Sequence, residues 1–422
     1  MQAEAGKALD ELRELGSVQQ LESFANSMNK SAAGAPLKVN AHLHLPPNFS
    51  AFQNVKQVID LASQQGVSVL GASNYYDYAV YGDFAALAKQ KAIFPLFGIE
   101  VISLVDDLQR NAIKVNDPGN PGKFYLCGKG ITRFVKMTPE ASRLLGMIRK
   151  NDSTRMAKVV AQLADVFASR GVPTGLNEAA VIDMVVKRHG CPRERVYLQE
   201  RHVCQAFQEK FFELVPAADR IAKLTKVFET APKAGPEDAV KIQNEIRANL
   251  LKTGKPGYVA ETFVNFDEAY KLVVELGGIP CYPTLADGAN PICGFETPIE
   301  TLIDNLRQRK IGCAEFIPIR NSQVVLRDYV KAIRRAGMIV TAGTEHNTLE
   351  LLPIEPKCIN NQPIPEDILP IFWEGACVVA AHQFLSLHGQ PGFAAGCGED
   401  RIASLKKLGA AVIEKYRESN RN

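Results

Sequence analysis

Short apolar runs alternating with helix-length segments leave this chain few ways to fold. From residue 36 the order is "LKVNAHL", a strand; "VKQVIDLASQQG", a helix closed by Gly66; "VSVLGAS", a strand; "FAALAKQKA", a helix; "IFPLFGIEV", a strand; and "KFYLCGKG", a fourth strand. Such alternation marks parallel α/β architecture, because neighbouring parallel strands need a crossover and a helix is the usual one. The pattern then stops for about 120 residues, from "MTPEASRLLGMIRKND" to "EIRANLLKTGKPG", where nearly every segment is helical by period and propensity. It resumes with "FDEAYKLVVELGG", "IPCYPTLADG", "TPIETLIDNLRQRK", "IGCAEFIPIRNS", "VVLRDYVKAIRRAG" and "MIVTAGTEHN". Strands are expected near residues 38, 67, 94, 123, 279, 312 and 338. Seven parallel strands with helices between them predict a (β/α)7 barrel with a helical insertion.

The expected organisation is an N-terminal helix and linker over 1–35, the first part of the barrel over 36–135, the insertion over 136–258, and the rest of the barrel with C-terminal helices over 259–422. Leu9, Leu12, Leu15 and Leu21 recur at helical spacing before "NKSAAGAP" breaks the pattern, and 364–388 reads as one or two packing helices. With 46% hydrophobic and 23% charged residues the chain can bury a large core. Lys and Arg (49) nearly balance Asp and Glu (46), which speaks against a dedicated nucleic-acid binder. The 9 cysteines are scattered, odd in number and never spaced C-x-x-C, the usage of reduced thiols rather than a disulfide frame or zinc-thiolate site. The first residues lack the apolar core of a signal peptide, and no run reaches the ~18 apolar residues of a membrane span. A cytoplasmic protein with neither membrane nor nucleic-acid partner is expected; a homo-oligomer is compatible with all of this.

Barrel chemistry sits at the C-terminal ends of strands. The polar residues there are His42 and His44 on the first strand, Asn74, Tyr75 and Asp77 on the second, and Glu100 on the third. Lys129 and Arg133 follow the fourth, Tyr282 and Asp287 the fifth, Glu315 and Arg320 the sixth, and Glu345 and His346 the seventh. Residues i and i+2 of a strand share a face, so His42 and His44 project together. Two imidazoles joined by the carboxylates of Glu100 and Glu345 would suit zinc, manganese or ferrous iron. On spacing alone a histidine pair is as readily a backbone-bonded core feature, Glu100 a salt-bridge acid and Glu345 a helix cap. Position on the first strand, with acids on the third and seventh, favours the metal.

"KVNAHLHL", "GVSVLGASNYYDY", "PLFGIEV", "GGIPCYPTLADG" and "MIVTAGTEHN" resemble the successive motifs of the polymerase and histidinol phosphatase (PHP) domain family, over roughly residues 36–135 and 259–350. The resemblance implies a distorted (β/α)7 barrel that holds up to three metal ions and hydrolyses phosphoesters. It also implies departures. The family's T-D-H motif reads "SNYYD", its H-P pair is Tyr282-Pro283, its S-D-G has no counterpart in "LPPNFSAF", and its D-x-H is Glu345-His346-Asn347. Carried across residue by residue, the first metal site maps onto His42, His44, Glu100 and Glu345, while the losses fall on the second and third. The expectation is one divalent ion per chain, with His346 as a spare ligand or an acid-base group.

With one ion, cations must help neutralise an anionic substrate: Lys129, Arg133 and Arg320 are the candidates, each of which could equally be a solvated charge. Tyr75 and Tyr282 could hydrogen-bond a sugar or phosphate oxygen, or merely fill volume. Asp77, Glu315 and His346 are the catalytic acid-base candidates, although Glu315 could simply pair with Arg320. The insertion reads as a lid, a dimerisation arm or a set of structural helices. Three functions follow: a metal-dependent phosphoesterase acting on a small anionic metabolite through metal-activated water, a one-metal isomerase or lyase of a sugar or sugar acid, and a non-catalytic binding domain.

Overall fold

The computed structural model describes residues 2–28 and 36–421. Its strands are β1 (Lys38–Leu43), β2 (Val67–Ala72), β3 (Phe94–Leu104), β4 (Lys123–Lys129), β5 (Val264–Asn265), β6 (Ile279–Thr284), β7 (Cys313–Phe316) and β8 (Ile339–Ala342). The first helices are α1 (Gln2–Arg13), α2 (Val18–Ser27), α3 (Val55–Gln64), α4 (Val80–Lys89) and the short α5 (Asp106–Arg110). Five more fall between β4 and β5: α6 (Pro139–Ser169), α7 (Glu178–His189), α8 (Glu200–Leu214), α9 (Arg220–Phe228) and α10 (Ala239–Ile246). The remainder are α11 (Phe266–Glu275), α12 (Ile299–Gln308), α13 (Gln323–Arg335), α14 (Leu369–Leu387) and α15 (Glu399–Ser419).

Seven strands form one sheet in the order β1-β2-β3-β4-β6-β7-β8, and β5 pairs with the far end of β3. The sheet closes almost completely into a barrel. His44 N donates to Glu345 O, and Thr344 N and Glu345 N donate to His42 O, each at 2.9 Å, so the end of β1 meets the turn after β8. Helices and core cover both sides, which is why β2 and β3 are almost wholly buried and read as continuous apolar runs. Several helices begin where a side chain satisfies their free N–H groups: Asn54 caps α3, Thr138 caps α6 with Pro139 behind it, and Asn265 forms a capping box with Glu268. In α13 the buried residues Leu326, Tyr329, Val330 and Ile333 keep the helical period.

Two features differ from the sequence reading. First, β4 runs antiparallel to both β3 and β6, where parallel strands were expected. A parallel partner for β3 needs a crossover helix, and the connection from 105 to 122 holds only the five-residue α5. Lys129 therefore lies beside Ile279, at the start of β6. Second, Glu366–Leu387 is long and apolar enough to cross a membrane by length and composition, although no such run was expected. Of its 18-residue window 67% is buried. It packs against β8, β1, α1 and α15, so it serves as a core helix. The leading segment forms two helices, and Ser17 starts the second through a capping box with Gln20.

The larger hydrophobic core joins the barrel to the N- and C-terminal helices. A second core, with Val159, Leu163, Phe167, Phe207, Phe211 and Ile242, lies among the helices between β4 and β5. Helix α6, 31 residues and so about 47 Å long, takes part in both. Ala141, Leu144, Leu145 and Ile148 pack on the barrel, and Met156 onward packs in the second core. Contacts also tie these helices to the loops after β1 and β2: Arg195 to Asp77 at 3.0 Å, Phe49 N to Gln199 Oε1 at 2.7 Å, and Arg149 Nε to Tyr76 O at 3.0 Å.

Candidate metal centre

β1 delivers His42 and His44 to the barrel interior, where each is 0% exposed. β3 brings Glu100 against them, 3% exposed, with Oε2 lying 3.3 Å from Nε2 of each histidine. His42 Nε2, His44 Nε2 and Glu100 Oε2 make no hydrogen bond. Buried polar atoms left without partners are rare and costly, so three of them converging on one point need an explanation. Their types supply one: two imidazole nitrogens and a carboxylate oxygen are the donors of a transition-metal site. Cys127, directly across from Glu100 on β4, adds a sulfur; ligand atoms of His42, Glu100 and Cys127 all lie within 4.8 Å of one another.

The shell around these donors is built to orient them. His42 Nδ1 meets Glu315 Oε2 at 2.6 Å, and Lys129 Nζ meets Glu315 Oε1 at 2.6 Å. A histidine tied through one nitrogen to a carboxylate presents the other to a metal. Tyr75 donates to Glu100 Oε1 at 2.7 Å and stacks on His44 at a centroid distance of 5.2 Å. Burial pushes the Glu100 carboxyl up, but His42 and His44 outweigh it and hold the group well below the usual range. Burial raises the Cys127 thiol to about 11.

Above Glu100 opens a cavity of about 480 Å³. Its floor and near wall come from the barrel, including Tyr75, Glu100, Thr284, Arg320 and Glu345; its far wall comes from the inserted helices, including Asp152, Arg155, Glu200, Arg201, Arg247 and Lys252. Burial lifts the Asp152 carboxyl to about 6, close to the Tyr76 hydroxyl.

Of the residues singled out in the sequence, His42, His44 and Glu100 are brought together with Tyr75, and Arg320 and Glu345 line the cavity together with Tyr75 and Glu100. Glu345 is not a fourth member of the cluster. Arg320 grips its carboxylate through both terminal nitrogens and Asn347 Nδ2 donates to it at 2.6 Å, on a turn with positive φ at Glu345 and His346. His346 has both ring nitrogens engaged, by Thr344 Oγ1 at 2.7 Å and Leu352 O at 2.9 Å, which leaves none for metal or substrate. Glu315 is buried behind His42 and acts on that ring; its cationic partner is Lys129, whereas Arg320 pairs with Glu345.

Lys129 accordingly lies inside the barrel, and the reversed β4 puts it there. Arg133 is exposed on a different face, beside Gly277 and His382. Asp77 is paired with Arg195 and caps Ala79 N. Tyr282 points outward between Phe124 and Phe295 and donates to Glu296, so it does not line the cavity.

Sequence reasoning passed over Cys127, Asp152, Arg201 and Lys252. Cys127 had a signal: it lies two residues before Lys129 on the same strand and hence on the same face. The other three lie in helical text, where charges toward a cavity and charges toward solvent look alike.

No protein-family model matches the chain, nor does any curated protein sequence. Among solved structures, an amidohydrolase from Chromobacterium violaceum, with bound sulfate and no metal, aligns at a TM-score of 0.50 and 18% identity, covering 78% of this chain and 94% of its own. A candidate metal-dependent phosphoesterase from Bifidobacterium adolescentis aligns at 0.52 and 13% identity, covering 79% and 94%. At these identities the likeness is one of fold.

Proposed function

We propose that the protein is a metal-dependent hydrolase, a phosphoesterase acting on a small anionic metabolite, with one divalent ion held by His42, His44 and Glu100. The observation that carries this reading is the convergence of their three unpartnered, buried donor atoms. The names of the two fold relatives, an amidohydrolase and a candidate metal-dependent phosphoesterase, point the same way. Held there by His42, His44 and Glu100, a divalent ion would lower the pKa of water to about 7 and polarise a phosphoryl oxygen.

The chain's own residues do the rest. Glu315 holds the His42 Nδ1 proton, which leaves Nε2 free as a donor, and Lys129 keeps Glu315 anionic in its buried place. Tyr75 fixes the rotamer of Glu100. Asp152, with a carboxyl near 6 in the same cavity, is suited to hand a proton to the leaving oxygen.

The test is metal content per chain on protein purified without chelator, beside His42→Ala, Glu100→Gln and Glu345→Gln, with phosphate release measured against a panel of phosphomonoesters. One ion per chain, lost in the first two variants and kept in the third, together with metal-dependent phosphate release, is expected. No ion after incubation with zinc, manganese and ferrous iron would end the reading. Sugar isomerisation without phosphate release would put a one-metal isomerase in its place.

A further inference from the structure

The charges around the cavity are sorted by origin. The barrel side contributes Glu100, Glu345 neutralised by Arg320, and Lys123 paired with Asp117 at 3.2 Å. The inserted helices contribute Arg155, Arg201, Arg247 and Lys252 against Glu200 and Asp152. Glu200 is shared between Arg155 at 2.8 Å and Arg247 at 2.9 Å, so one carboxylate already serves two cations. Arg201 and Lys252 make no ion pair among the described residues. Among the described residues the one side-chain hydrogen bond of Arg201 is Nη1 to Asn244 Oδ1 at 3.4 Å, and the Lys252 ammonium makes none. Both are half-buried. Burial, and then the neighbouring Arg247, outweigh the carboxylates in reach, Glu345 for Arg201 and Glu200 with Asp117 for Lys252, and hold each cation below its ordinary pKa.

A half-buried wall with surplus positive charge facing a cavity of about 480 Å³ is complementary to an anionic ligand, and guanidinium and ammonium groups bind oxyanions through charge-assisted hydrogen bonds. We propose that the substrate carries an oxyanion group, phosphate or carboxylate, that docks on Arg201 and Lys252, apart from the bond broken over Glu100. The assignment of the bond rests on the function proposed above; the anion site does not. The substrate is then at least bifunctional, with one end handled by the barrel and an anionic end by the insertion. The insertion sets specificity, and Arg201 and Lys252 are its reading groups.

Calorimetric titration of inorganic phosphate, and separately of succinate, into chelator-treated full-length protein tests this without relying on turnover. At least one of the two is expected to bind, and the tighter identifies the anionic end as phosphate or carboxylate. Arg201→Ala and Lys252→Ala should each weaken binding about tenfold or more. Arg201→Lys should retain part of it, and Arg133→Ala, on a different face, should leave it unchanged. Equal thermal midpoints for these variants guard against a folding defect. Absence of binding by both anions, or binding indifferent to Arg201 and Lys252, overturns the proposal. Failure of the metal reading shows separately, as absent metal with anion binding intact.

Discussion

Glu315 is worth following as a single side chain, since it answers to two charged partners while fully buried. Losing Lys129 leaves that carboxylate buried with only His42 and Thr341. Lys129→Met should therefore cost about 3–5 kcal/mol, while Lys129→Met with Glu315→Gln recovers much of it, because the pair is not additive; urea unfolding measures both. Glu315→Gln alone should weaken metal affinity about 10–100-fold through a mis-set His42, read by competition with a chelating dye. Asp152 makes a prediction about pH. Its carboxyl is near 6, so as a proton donor it is spent above that value: turnover should fall as pH rises through about 6, and Asp152→Asn should be slower and flatter in that window. Its raised pKa also means the folded state holds this proton more tightly than the unfolded chain. Stability should accordingly decline as pH rises from about 4 toward 6, and less so in the asparagine variant.

The seam between β1 and β8 shows what a single element junction demands. A methyl group on Gly343 would lie 2.4 Å from His42 Cβ and 2.9 Å from its backbone N and O. Gly343→Ala must push the metal-facing strand aside, so it is expected to empty the centre of metal at lower cost to secondary structure, measured by metal content beside circular dichroism. At this scale the sequence was readable where periodicity speaks: the apolar runs of β1, β2, β3, β6, β7 and β8 lie where expected, and so do the helices between them. It was silent about direction. Apolar text alone does not distinguish a strand that returns from one that crosses over, and the reversed β4 moved Lys129 from the mouth to the interior. His42, His44 and Glu100 were legible because strand position fixes the face they point to. Glu345 was not, because its place depends on a turn with positive φ and on Arg320, two features no local pattern carries.

The molecule as a whole is held by a few long elements. Helix α6 anchors the insertion to the barrel, and Arg155, 4% exposed, locks it there by donating to Val259 O at 3.1 Å and pairing with Glu200. Arg155→Ala should cost about 3–5 kcal/mol, because it strips a buried pair of one partner, and chemical denaturation would show it. Smaller effects would mean that Arg247 takes over Glu200. On the far side, α14 is sealed by α15, so closely that a Cβ on Gly409 would lie 1.8 Å from Cys377 O. The division of the cavity has an evolutionary consequence. Its floor is encoded by strands scattered through the chain, its far wall by one contiguous tract from β4 to β5. A lineage can rewrite that tract around Asp152 and inherit the metal centre unchanged, so descendants of one ancestral barrel would diverge in diet before they diverged in trade.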